Sequence, residues 1–160
     1  MYKRQACTVA LPEPAAPAEE AVVVENSEAP TGDPASYTVD AASSELIWTG
    51  SNIVGHEQTG TLDITEGSLE FIGTTLIGGS VTIDMTTLSS LNLPADTAPQ
   101  LIGHLKSEDF FGVEVWPTAM IVFKSAQATD VSDQYLVTAD LTIKDITDEL
   151  TFVTDVVVEE

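Results

Sequence analysis

The sequence predicts an all-β protein, folded as an antiparallel barrel or sandwich with one short helix. From Tyr37 onward, β-prone runs broken by turn residues recur about every 8 to 14 residues. Only one segment has the spacing of apolar residues that is typical of a helix. Many short strands with so little helix favour an antiparallel sheet that closes on itself or packs in two layers.

The first strands follow one another closely. The β-prone runs are residues 45–49, 61–65 and 68–72. Glycine is the residue that most readily adopts the backbone conformations of tight turns. We therefore expect a turn at Glu66-Gly67 between the second and third runs, and another at Gly78-Gly79 before the next strand.

The later strands show the period-two alternation of a half-buried sheet. Residues 80–85 alternate strictly, which places Val81, Ile83 and Met85 on one face. Later runs place these residues on a shared face: Ala119, Ile121 and Phe123; Tyr135, Val137, Ala139, Leu141 and Ile143; and Leu150, Phe152, Val156 and Val158.

The predicted helix extends from about Pro94 to Ser107. Leu101 and Leu105 are four residues apart and therefore share a helix face. Asp96 or Thr97 is suited to cap its first turn.

The charge of the chain excludes several partners. Its formal net charge is −21, with 26 acidic and 5 basic residues among 160. Nucleic-acid binding is excluded because so few cations cannot neutralise a phosphate backbone. Anionic lipid surfaces repel such a chain for the same reason. Solubility or a salty medium explains the acidity, and recruitment of a cationic partner is the alternative.

The N-terminal region is predicted to be a disordered tether over residues 1–36, rich in Pro, Ala and Glu, before a domain at 37–160. The only cysteine, Cys7, rules out an internal disulfide and follows Ala6 directly. A small residue, a cysteine and then a polar tract are typical of a mature bacterial lipoprotein. We therefore expect lipidation and a membrane tether at Cys7, with a chance cysteine in a disordered tail as the alternative. A charged start without an apolar stretch indicates a missing signal sequence.

Several ordered motifs resemble those of the YceI-like family. They are residues 37–40, 44–48, 55–56 and 59–61, then 79–85, 104–111, 116–119 and 141–147. The resemblance extends from Tyr37 to the end of the chain. Asp145 stands where the family commonly has glycine.

The resemblance implies a lipocalin-like antiparallel barrel whose apolar interior holds a long isoprenoid chain. It also implies a periplasmic or extracellular location and no established catalytic residues. The family continues after residues 141–147 with more than one strand, whereas only Thr151 to Val158 follow here. We therefore expect truncation at both ends and a barrel that is incomplete at its C-terminus, with exposed strand edges.

These observations predict a non-enzymatic carrier or sequestration domain for an isoprenoid-like lipid or quinone, without another cofactor. Burying one five-carbon isoprene unit contributes about 3 to 4 kcal/mol, so a few units outweigh the cost of association. The predicted ligand-binding residues are Trp48, Phe71, Val81, Ile83, Leu101, Leu105, Phe110, Phe111, Ile121, Phe123, Leu141, Ile143 and Phe152.

Two other functions remain open at this stage. A hydrolase or metal-dependent enzyme would use His56 or His104 with nearby carboxylates such as Glu108. In so acidic a chain that proximity is expected by chance, and Ser107 lacks the glycine pattern of a nucleophile elbow. Lys106 is either a solvated cation at the helix end or a contact to a ligand head group. The other alternative is a ligand-free barrel that serves as an interaction module.

Overall fold

A computed structural model describes residues 30–51 and 55–158 of the chain. The predicted lipidation site, Cys7, and residues 1–29 of the predicted tether lie outside this part. The first strand begins two residues before the predicted domain boundary. The elements are β1 (Ala35–Thr38), β2 (Leu46–Ser51), β3 (Glu57–Ile72), β4 (Thr75–Asp84), α1 (Ala98–Lys106), β5 (Thr118–Ala128), β6 (Gln134–Ile143) and β7 (Ile146–Asp155).

All seven strands belong to one antiparallel sheet, which confirms the predicted all-β fold with a short helix. The sheet has the order β1-β3-β4-β5-β6-β7, and β2 also pairs with β3. β1 pairs with the second half of β3, from Ser68 to Phe71, while β2 pairs with the first half, from Glu57 to Leu62. Within the described residues the sheet does not close, since β7 pairs only with β6.

The turn predicted at Glu66-Gly67 is wrong, because β3 runs through it without a break. The pairing with β4 instead shifts register between Ile64 and Glu66. An extra residue in one strand reverses which alternate side chains face the core. Leu62 is buried before the shift, whereas Leu69 and Phe71 are buried after it, so the long strand keeps its apolar side chains inside.

The turn predicted at Gly78-Gly79 is also wrong, since both glycines lie within β4. The chain turns at Gly73 and Thr74, where Gly73 has a φ of 60°. Gly79 has a φ of 139°, and a Cβ there would lie 2.2 Å from the carbonyl oxygen of Ser68. Glycine is therefore needed at this position because β3 and β4 are in close contact, and not because the chain reverses there.

The helix is confirmed with shorter bounds than predicted, because Thr97 occupies the N-cap position. The Thr97 hydroxyl donates to the carbonyl oxygen of Pro94 at 3.1 Å and makes no side-chain cap to the helix. Ser107 ends the helix. Among the helices of the described residues, none has the length and apolarity needed to cross a membrane.

The core lies on one face of the sheet, as the predicted alternation requires. A strand buries alternate side chains when one of its faces covers an apolar interior. Ile83 is 3% exposed, and Val137 and Ala139 are 0% exposed. The other buried apolar residues are Leu62, Leu69, Phe71, Leu76, Val81, Met85, Leu88, Val113, Ala119, Ile121 and Tyr135.

Candidate ligand-binding site

Apolar side chains along β5, β6 and β7 face the interior without being fully buried. We call these residues the open groove: Phe123, Leu141, Ile143, Leu150 and Phe152. Residues directly opposite each other in paired strands lie on the same face of a sheet. Leu150 pairs with the buried Ala139 and Phe152 with the buried Val137, so both point inward.

The groove is half-exposed because it lies beside the free edge of the sheet. Among the described residues β7 pairs only with β6, so no further strand covers its outer edge. The rings of Phe123 and Phe152 meet edge to face with centroids 6.2 Å apart. The result is an apolar surface supported by aromatic packing. On β7 it ends at Leu150, because the next residue on the same face, Asp148, is an exposed carboxylate opposite Leu141.

Beyond Phe152 and Thr154 along β7, a concavity of about 360 Å³ lies beside Tyr135 and Val156, and we call it the mouth. Tyr37, Phe71, Tyr135 and residues 156–158 form its apolar wall. The Phe71 ring meets Tyr37 at 5.7 Å and Tyr135 at 6.1 Å, in both cases edge to face. Because Phe71 and Tyr135 also belong to the buried core, the mouth is the place where that core reaches the surface.

Asp133 lines both the mouth and an adjoining concavity of about 430 Å³ over residues 128–135. Its φ of 61° lies in the left-handed region, which aspartate tolerates better than most residues. The carbonyl oxygen of Asp133 accepts a hydrogen bond from the Val156 backbone at 2.7 Å. This bond ties the segment after β7 to the β5–β6 turn and so shapes the mouth.

The lysines of the described part of the chain lie away from the mouth. Lys106 Nζ donates to the carbonyl oxygen of Thr86, which ties α1 to the 3-10 turn at Met85–Thr87. Hydrogen bonds to Glu149 at 2.8 Å and Asp140 at 3.1 Å raise the pKa of Lys124. Lys144 belongs to the β6–β7 turn, and its side chain passes over Gly112.

The predicted ligand-binding residues occupy several environments. Those in the closed core are Phe71, Val81, Ile83 and Ile121. Those half-buried and packed against the core are Trp48, Leu105, Phe111, Phe123, Leu141, Ile143 and Phe152. Leu101 and Phe110 are half-buried on and after α1, and the Phe110 ring meets His104 at 4.8 Å. Phe71 reaches the mouth, and four of the residues belong to the open groove.

Sequence reasoning missed most of the mouth. Tyr37, Asp133 and Val157 were not among the predicted ligand-binding residues. They lie far apart in the chain, on β1, in the β5–β6 turn and after β7, respectively. Phe71 was among the predicted ligand-binding residues, and alternation placed Tyr135, Val156 and Val158 on the apolar faces of their strands. The mouth forms where the β3–β4 turn, the β5–β6 turn and the end of β7 come together.

The residues proposed for the alternative enzyme function make local structural contacts. The Ser107 hydroxyl donates to the carbonyl oxygen of His104 at 2.7 Å, rather than to the imidazole. In residues 30–51 and 55–158 no three His, Cys, Asp or Glu side chains are grouped so as to hold a metal ion. His56 lies just before β3 and has a contact of its own.

At the β2–β3 end of the sheet, far from β7, the chain packs tightly around Trp48. Its indole N–H donates to the carbonyl oxygen of Ser89 at 3.1 Å, and Ser89 also bonds Thr61. A Cβ at Gly60 would lie 1.8 Å from that same oxygen. The segment after β4 therefore packs directly on the β3 backbone, which leaves no room for a ligand between them.

A single antiparallel sheet with one apolar face and an apolar mouth is the arrangement of a binding-type β domain. The chain matches the YceI-like domain over residues 37–160, and it belongs to that family. The family is of the polyisoprenoid-binding type, so lipid binding is supported at the level of the family. No curated protein matches the chain.

Proposed function

We propose that this protein binds an isoprenoid-like lipid or quinone, with the tail in the open groove and the polar end at the mouth. It would act as a carrier or sequestration domain without catalysis. The observation that carries this proposal is the row of inward-facing but half-exposed apolar side chains along β5–β7. A soluble domain rarely leaves such a surface open unless something binds there.

The dimensions of the mouth support the proposal. Its volume of about 360 Å³ is at the lower end of the range of about 300 to 1,000 Å³ found for ligand pockets. The mouth alone therefore suits one end of a long ligand. From there the alternate positions of β7, Thr154, Phe152 and Leu150, lead along the inner face of the sheet.

Desolvation of the tail supplies the affinity in this mechanism. Each isoprene unit that leaves water contributes about 3 to 4 kcal/mol when fully buried, and less in a half-open groove. A few units are enough to exceed an association cost of about 10 kcal/mol. Groove length would then set the preferred number of units.

We also propose that the domain works outside the cytoplasm, held to a membrane through a lipid on Cys7. The support is the order of Ala6, Cys7 and the proline-rich tract after them. Such a tether would keep a lipid carrier close to the bilayer that supplies its ligand.

Native mass spectrometry of protein purified from a membrane-containing host tests lipid binding. We expect a co-purifying mass that organic extraction removes and that fragments as an isoprenoid. Consistent recovery of lipid-free protein, together with no uptake of added polyprenol, would overturn the proposal.

A substitution at the mouth tests the location. Tyr37 is 38% exposed, so Tyr37→Ala should fold normally while removing one wall of the mouth. We expect polyprenol affinity to fall about three- to tenfold, since part of one aromatic contact is lost. Val115→Ala, which shortens a side chain that is 64% exposed and is absent from the lining of the mouth, is the matched control and should bind like the wild type.

A further inference from the structure

We infer that the mouth selects lipids whose polar end is an uncharged hydrogen-bond donor and discriminates against lipids that end in phosphate. This inference rests on the proposed lipid-binding function and narrows its ligand, because an alcohol offers a hydrogen-bond donor to the mouth and an oxidised quinone does not. It follows from the charge at the mouth, the state of its hydrogen-bonding groups and the positions of the cations.

The charged group of the mouth is a carboxylate. Asp133 is the acidic residue among its lining residues, and Asp130 lies in the adjoining concavity. None of the described residues that line the two concavities is basic. A phosphate at the mouth would therefore meet repulsion at short range without a compensating cation.

Asp133 is an exposed residue at the mouth, and its carboxylate offers hydrogen-bond acceptors there. Its backbone is fixed by the bond from Val156, and its Oδ2 accepts from the Ser132 hydroxyl at 3.0 Å. No other partner of this carboxylate is present in the described residues. An ionised carboxylate accepts hydrogen bonds and offers none, which suits a ligand hydroxyl and not a phosphate.

The aromatic residues of the mouth also favour an uncharged ligand end over an anionic one. The Tyr135 hydroxyl donates to the carbonyl oxygen of Thr74 at 2.9 Å, so its proton is already used. The faces of Tyr37, Phe71 and Tyr135 carry the negative part of the ring quadrupole. These faces favour a neutral ring or alkyl group over an anion.

The lysines of the described part cannot supply the missing cation from their present positions. Lys124 is bonded to Glu149 and Asp140 on the outside of the sheet, and Lys106 is bonded to Thr86. Lys144 is in the turn at the other end of β6 from Tyr135. The net charge of −21 adds long-range repulsion of any anionic lipid.

The test compares two probes with the same tail, geranylgeraniol and geranylgeranyl phosphate, binding to the full chain at neutral pH and low salt. We expect the alcohol to bind at least about tenfold more tightly, because only the phosphate meets like charge. Asp133→Asn should reduce this preference to about threefold or less, since it removes the charge and keeps a similar shape. Asparagine also tolerates the left-handed backbone, so the variant should fold.

Asp63→Asn is the matched control. It removes the same charge from an exposed position on β3, about 25 Å along the strand from Phe71. The tenfold preference should remain in this variant. Raising the salt from about 20 mM to about 500 mM should narrow the preference of the wild type, because the ions screen the repulsion.

The possible outcomes separate the two proposals. Equal affinity, or tighter binding of the phosphate, would overturn the inference while leaving lipid binding intact. Failure of both probes to bind would overturn the proposed function itself. A preference that survives Asp133→Asn at full strength would show that Asp133 does not set it.

Discussion

Strands β3 and β4 and strand β7 show the same alternation of apolar residues but differ in how deeply those residues are buried. Leu62, Val81 and Ile83 are 7%, 6% and 3% exposed, whereas Leu150 and Phe152 remain half-buried. In the part of the chain that the structure describes, β3 has strands along both of its edges, while β7 pairs only with β6. Alternation therefore defines which face is apolar, and the neighbouring strands decide whether that face is a core or a binding surface.

The largest expected effect is a loss of stability on substituting Gly60, where the segment after β4 packs on β3. Gly60→Ala would place a Cβ 1.8 Å from the carbonyl oxygen of Ser89 and 2.6 Å from the Trp48 indole nitrogen. Backbone atoms cannot move aside cheaply, so we expect a loss of about 3 kcal/mol or more in unfolding free energy. Urea denaturation measures it, and Trp48 fluorescence should report the displaced indole.

Gly103→Ala provides the control for the same chemical change. A Cβ at Gly103 meets no atom within 4 Å, and the residue is in α1. Alanine is about 1 kcal/mol more favourable than glycine in a helix, so this variant should be slightly more stable. A similar loss in both variants would contradict the account of close packing at Gly60.

Two side-chain truncations, one in the closed core and one in the open groove, should separate an effect on stability from an effect on lipid binding. Ile83→Ala, in the closed core, should cost about 3 kcal/mol and leave the lipid affinity of the folded protein nearly unchanged. Phe152→Ala, in the half-buried groove, should cost about 1 kcal/mol and weaken lipid binding about tenfold. Denaturation and lipid titration of both variants are the measurements. If Ile83→Ala weakened binding more than Phe152→Ala, the groove would be misplaced.

The smallest expected effect concerns the ion pairs on the outside of β5–β7. Because hydrogen bonds to Glu149 and Asp140 raise the pKa of Lys124, its stabilising contribution is complete below the ordinary lysine pKa of 10.5. The contribution is lost as the pH rises through the higher pKa of the folded state. Between about pH 9 and pH 12 the wild type should therefore lose slightly more stability than Lys124→Gln. Parallel denaturation curves at both pH values check this, and identical losses would contradict it.

Local patterns anticipated the faces of the strands but not the shape of the sheet. Val81, Ile83 and Met85 were placed correctly because alternation depends only on adjacent residues. Glu66-Gly67 and Gly78-Gly79 were misread as turns because glycine also occurs where two backbones approach closely. The shift between Ile64 and Glu66 arises from the pairing with β4, which no local pattern reveals.

The candidate site could be predicted only in part for a related reason. The groove residue Phe152 follows from the alternation of β7, whereas the mouth depends on contacts between segments far apart in the chain. Tyr37 and Tyr135 meet Phe71 from β1 and β6, respectively. Pairing across such distances is set by the whole sheet and not by any single segment.

The sequence by itself determined the fold class, the apolar faces of the strands and the family, because these depend on short-range periodicity and ordered motifs. Only the tertiary structure decided which part of the apolar face stays open and where the mouth lies. The physical reason is that burial depends on neighbours. β7 has the inward-facing side chains of a core strand, and its edge, unpaired within the described residues, leaves them half-exposed.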